Sequence, residues 1–170
     1  MSPTVALLSI HLEYSNMIFE GTKQVELRKV RPRCLSEGDI IVVYATSPQK
    51  AIVGILEVEK VIEEVPSTLW KLVKGKACVN YSEFVRYYRN SAIGFAIFIR
   101  KIHKFNVPLD LSSIKEEWKN FHPPQCYKYL NERELDLVEE MSGFDIKTFS
   151  DRQFCKQFNV LDKEYFFASS

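Results

Sequence analysis

The residues of this chain best arranged for chemistry fall in one short run, Gly21-Thr22-Lys23-Gln24-Val25-Glu26-Leu27-Arg28. Side chains alternate along an extended strand, so Gln24, Glu26 and Arg28 share one face and Val25 and Leu27 the other. Lys23 belongs with Val25 by parity. It also follows Gly21, where a helix end is expected, and a bend there frees it from the alternation. Lysine, glutamate and arginine held together can bind a polar or anionic ligand. A desolvated lysine can further act as base or nucleophile while the glutamate moves a proton or activates water. The same pattern also suits a solvated strand face with an ordinary ion pair.

The charge around this run is lopsided. From Gly21 to Arg33, Lys23, Arg28, Lys29, Arg31 and Arg33 stand against Glu26 alone, whereas Glu132 to Glu140 carries five acids and only Arg133. The formal net charge of +1 hides this dipole and excludes a polycation acting by bulk charge. A local basic patch suits phosphate contacts, with Lys23, Arg28 and Arg31 as the candidates. Alternatively the basic and acidic segments face each other.

Two further polar clusters are candidates. Tyr44-Ala45-Thr46-Ser47-Pro48 ends an apolar run, where its hydroxyls could meet a ligand or satisfy a turn. The loop from His122 to Tyr129 offers the amide of Gln125 to a base edge and the ring of Tyr129 for stacking, although a core role suits the tyrosines as well. No G-x-S-x-G, P-loop, H-E-x-x-H or dinucleotide fingerprint is present. Cys34, Cys78, Cys126 and Cys155 are too dispersed for a zinc site and read as free thiols. No metal and no cofactor is expected. No run of 18 apolar residues occurs, and the first residues lack a basic, then apolar, leader, so a cytoplasmic protein without a membrane span is expected.

These side chains need elements to position them. Of the 170 residues, 46% are apolar and 13% aromatic, enough for one packed domain. Val5 to Leu12, Lys23 to Val30, Ile40 to Thr46, Ala51 to Ile62 and Ala92 to Ile102 read as five strands, with Gly54 marking a bulge or bend. Helices are expected over Glu13–Glu20, after Pro66, after Asn80 (Asn80 with Glu83 as a capping box), after Ser113, and from Asn131 with Glu134 to Gly143. Leu69, Trp70, Phe84 and Tyr88 sit at helical spacing and are assigned to the core. Strands interrupted by short helices, without regular βαβ alternation, indicate a mainly β α+β fold, a small barrel or rolled sheet. Residues 144–170 hold six of the 12 Phe and form an extension expected to pack, through a helix near Ser150–Phe158, on the barrel or on a second copy as a homodimer.

Leu8-Ser9-Ile10-His11-Leu12-Glu13-Tyr14, then Ile18, then G-x-K-x-x-E-x-R at Gly21–Arg28, together with the strand from Asp39 to Pro48 and the Gly54 strand, resembles the ASCH domain signature over about residues 5–130. The resemblance implies a PUA-like small β-barrel with flanking short helices, spanning residues 1–143, and a cleft between barrel and helices. It implies RNA, or a modified nucleobase or nucleotide, as ligand, bound through Lys23, Glu26 and Arg28 near Tyr44, Thr46 and Ser47. An alternative implied by the same family is a hydrolase, either an N4-acetylcytidine amidohydrolase or a single-strand ribonuclease, with Lys23 and Glu26 catalytic. Gln24 stands where the small amidohydrolases of the family carry Thr.

Overall fold

A computed structural model describes residues 2–150. Its strands are β1 (Val5–Ile10), β2 (Val25–Arg28), β3 (Ile40–Ala45), β4 (Ala51–Glu64), β5 (Gly94–Asp110) and β6 (Tyr127–Tyr129), and its helices are α1 (Leu12–Phe19), α2 (Pro66–Val73), α3 (Tyr81–Tyr88), α4 (Leu111–Glu117) and α5 (Glu132–Ser142). The strands form one mixed sheet in the order β2-β5-β4-β3-β1-β6, curled into a half-barrel. β1 runs parallel to β3, and the other pairings are antiparallel.

The continuous apolar runs of β1 and β3 follow from burial on both sides of the sheet. Val5 and Leu7 join Ile40, Val42 and Tyr44 in one core, closed by Ile114, Leu135, Val138 and Ile146. Ala6, Leu8 and Ile10 join Ile41, Val43 and Ala45 in a second core with Ile18 of α1. A third cluster packs α2 and α3, through Leu69, Val73, Phe84 and Tyr88, on Val25 and Phe98. Trp70 is half-buried against this cluster.

Glycine is essential at Gly54. A Cβ there would stand 2.4 Å from the His103 carbonyl oxygen and 2.7 Å from the Phe19 ring, and the register shifts between Ile52 and Gly54 in the ladders to both β3 and β5. Close approach of β4 to β5 and α1 at this point bends the sheet. Gly21 (φ +83°) and Gly143 (φ +66°) end α1 and α5 in the left-handed conformation. Capping boxes at Asn80/Glu83 and Asn131/Glu134 start α3 and α5 as their spacing predicts.

Two expectations need correction, and one open alternative is decided. The sheet has six strands: β6, only three residues long, is too short to show a periodicity. α4 begins at Leu111, because the Asp110 carboxylate takes the Ser112 and Ser113 amide hydrogens, both at 3.1 Å, three residues before the expected cap at Ser113. The charge dipole does not close on itself, since α5 directs Glu134 to Lys128 and Asp136 and Glu139 to Lys147 instead of to the basic run. Of the segment beyond Gly143, Phe144 stacks on His103 with ring centroids 3.8 Å apart, and Ile146 is buried. The helix expected near 150–158 and the homodimer contact expected of it lie outside the described residues.

Candidate functional site

The turn after α1 decides where the lysine goes. Gly21 donates its amide hydrogen to the Ile18 carbonyl, and Thr22 and Lys23 both donate to that of Met17, at 3.0 Å each. β2 begins only at Val25, so Lys23 is exempt from strand parity and folds back toward Glu26. The Gln24 amide, bonded to the Lys76 carbonyl at 2.8 Å, pins this corner to the segment between α2 and α3. From that segment the Ala77 carbonyl accepts a 2.7 Å hydrogen bond from Lys23 Nζ.

Glu26 and Arg28 then share one face of β2. Glu26 Oε2 lies 3.6 Å from Lys23 Nζ, and Oε1 lies 3.6 Å from Arg28 Nη1. Lys23 is 3% exposed and Glu26 7%. Charges so deep are costly unless paired, and a single carboxylate sits between both cations. Burial pushes the Lys23 ammonium below its ordinary value, opposed by Glu26.

Arg28 has a second task. Its Nη1 donates to the Ser9 carbonyl at 3.1 Å and its Nη2 to the Cys126 carbonyl at 2.8 Å. β2 is one edge of the sheet; Ser9, on β1, and Cys126, just before β6, belong to the other. The guanidinium therefore ties the two edges where no backbone ladder joins them. Tyr88 supports the strand from behind, donating its hydroxyl hydrogen toward the carbonyls of Arg28 and Phe95 at 3.1 and 3.3 Å.

A cleft of ≈ 500 Å³ opens over this seam, within the size range of small-molecule and nucleotide sites. Lys23, Glu26 and Arg28 line it. Its walls include Tyr14 from α1 and Tyr87 from α3. The Lys23 ammonium is 5.0 Å from the centre of the Tyr14 ring, and Lys29 covers the Tyr87 ring at 4.9 Å. Burial raises the phenol pKa of both tyrosines, which keeps them neutral hydrogen-bonding groups. His11, Glu83 and Cys126 also line it. Among the described residues no three metal-ligating side chains cluster, and no helix is long and apolar enough to cross a membrane.

The other sequence candidates divide. Thr46 and Gln125 reach the cleft. Ser47 is exposed beyond it. Tyr44 does not line it: period 2 carries its side chain to the face of Ile40 and Val42, where it is 3% exposed and 6.3 Å from the Phe121 ring. Tyr129 is also turned away. Its ring meets Tyr127 edge-on, and its hydroxyl accepts the Cys34 amide hydrogen at 2.8 Å. Arg31 binds the Leu35 carbonyl at 3.1 Å and Glu63 at 3.7 Å, outside the cleft. The tyrosines on the cleft walls are thus Tyr14 and Tyr87, beside Phe84, and none of the three is among the sequence candidates for the site. Tyr87 had a signal, one turn after Phe84 on the same helix, but spacing alone could not tell a wall from a core position.

Comparison with known proteins agrees with this fold. The ASCH domain family model matches residues 8–142. The ASCH domain-containing ribonuclease of Zymomonas mobilis is 29% identical over 138 residues, 81% of this chain and 92% of that protein. The crystal structure of ASCH from Zymomonas mobilis superposes with a TM-score of 0.76 at 26% identity, covering 81% of this chain and 95% of that one. A hypothetical protein from Leishmania major shares the fold at a TM-score of 0.53 and 14% identity, over 83% of this chain and 95% of its own. With the family match spanning most of its length and the fold shared with the Zymomonas mobilis structure, the chain is a member of the ASCH domain family.

Proposed function

We propose that this protein binds single-stranded RNA, taking a nucleotide into the cleft over β2. The observation that carries the reading is the Lys23–Glu26–Arg28 row, its first two members buried, along a cavity whose walls include two tyrosines. Unpaired bases are recognised by stacking on aromatic rings and by hydrogen bonds to their edges, and a phenol face suits the first task. Lys29 and Arg28 supply positive charge for the flanking phosphates. The ribonuclease relative supports RNA as the ligand class.

Filter binding with a short unstructured RNA tests this. Affinity is expected to fall with added salt by a log–log slope of about −0.7 for each phosphate engaged. Lys23→Ala is expected to abolish binding while the protein stays folded. A flat salt response, or a folded Lys23→Ala variant that binds normally, overturns the proposal.

The name of that relative also favours a second reading, cleavage of the bound strand. The cleft holds groups suited to it: a carboxylate at Glu26, a lysine whose pKa burial lowers at Lys23, and an imidazole at His11. End-labelled single-stranded RNA incubated with the protein should then yield fragments, and Glu26→Gln should stop cleavage more than binding. Intact RNA at saturating protein leaves binding as the function.

A further inference from the structure

The charged row carries hydrogen-bonding information as well as charge. We propose that Lys23, Glu26 and Arg28 together read the Watson–Crick edge of a uracil base. This deepens the RNA-binding reading and rests on it.

The two oxygens of Glu26 face different cations, Oε2 toward Lys23 and Oε1 toward Arg28. Ammonium and guanidinium groups only donate hydrogen bonds, and an ionised carboxylate only accepts. Across the floor of the cleft the row therefore runs donor, acceptor, donor. The donors are not exhausted by the fold. Lys23 gives one of its three N–H groups to the Ala77 carbonyl. Arg28 gives one N–H from each terminal nitrogen to the carbonyls of Ser9 and Cys126, and each of those nitrogens keeps a second. All three side chains reach the cavity.

Uracil presents the complementary pattern: carbonyl, N3–H, carbonyl. Cytosine opposes the row twice, with its amine against a cation and its bare ring nitrogen against the carboxylate. Adenine has the same two conflicts. Guanine can lay its carbonyl on one cation and its ring N–H on the carboxylate, but its amine then faces the second cation, donor against donor. In a water-poor site each mismatch leaves a polar group unpaired, which is how such pockets discriminate. Tyr14 and Tyr87, on the cleft walls, offer faces for the inserted ring.

Calorimetric titration of the full chain with nucleoside monophosphates tests the proposal. Uridine monophosphate is expected to bind at least about tenfold more tightly than the cytidine, adenosine or guanosine analogues. Its N3-methyl derivative, which lacks the N–H, should lose at least about tenfold, and this change on the ligand leaves the protein's folding untouched. Glu26→Gln, which keeps the shape but can place a donor centrally, should narrow the gap between uridine and cytidine monophosphates. Equal binding of the uridine and cytidine forms, tighter binding of the guanosine form, or an unaffected N3-methyl derivative overturns the uracil assignment. RNA binding that depends on Lys23 but shows no base preference removes this inference alone. If neither RNA nor any nucleotide binds, the RNA reading falls and takes this one with it.

Discussion

The fold contains the same three residue types twice. In the cleft, Glu26 lies between Lys23 and Arg28, at 3.6 Å from each. On β4, Glu57 lies 3.1 Å from Arg100 and 3.7 Å from Lys101 of β5. The Glu57 side chain is fully buried, but its cations extend along the sheet surface, and Arg100 continues to Glu37. The cation side chains there are 32% and 40% exposed, so solvent helps to carry their charge. In the cleft, Lys23 is buried too, and backbone carbonyls from separate elements hold both positive groups. The β4 cluster compensates one buried carboxylate from outside. The cleft cluster lines a cavity, with both of its cations held by backbone carbonyls. Both clusters pair a buried carboxylate with two cations; only the one at β2 also lines a cavity of ≈ 500 Å³.

The most severe test of this contrast exchanges each carboxylate for an isosteric apolar residue. Glu26→Met should weaken RNA binding roughly 30- to 160-fold, corresponding to the 2–3 kcal/mol of lost charge-assisted contacts, as read by filter binding. Glu57→Met should leave RNA affinity unchanged, with stability altered by about 1 kcal/mol or less in either direction, because an apolar side chain of similar volume replaces a buried ion. If Glu57→Met weakened RNA binding as much, the two clusters would not differ in role.

Next in size is the clasp. Arg28→Lys cannot span the carbonyls of Ser9 and Cys126 together. Denaturant unfolding should show a loss of about 1–2 kcal/mol, with lower RNA affinity as the edges of the half-barrel part. Arg100→Lys, with no edges to join, should leave both measurements close to wild type.

A remote control calibrates these values. Asn131→Ala removes the α5 cap and should cost about 1 kcal/mol without altering RNA affinity.

The smallest effect is one of pH. Burial lowers the Lys23 pKa in the folded state, so the unfolded chain binds more protons between that lowered value and the ordinary 10.5. Wild type should therefore gain stability relative to Lys23→Met as pH rises through this window. A difference between the two that stays level there would show that Lys23 is not desolvated.

Several parts of this molecule were legible in its sequence for local reasons. Capping boxes at Asn80 and Asn131 lie within one helical turn. Gly21 and Gly143 stop helices because they tolerate a backbone that other residues resist. The G-x-K-x-x-E-x-R run gathers its charges within eight residues, and the turn after α1 brings the lysine round to them.

What tertiary structure alone decided is long-range. Parity told that Tyr44 shares a face with Val42, but not that α4 and α5 cover that face. Tyr14 and Tyr87 become the walls of one cleft only because α1 and α3, 73 residues apart at these positions, converge on β2. Arg28 is a clasp only because the sheet curls until its first and last strands approach. Periodicity records which side chains share a face of one element. Which face meets which is settled by packing among distant segments, and no spacing within a single strand or helix encodes it.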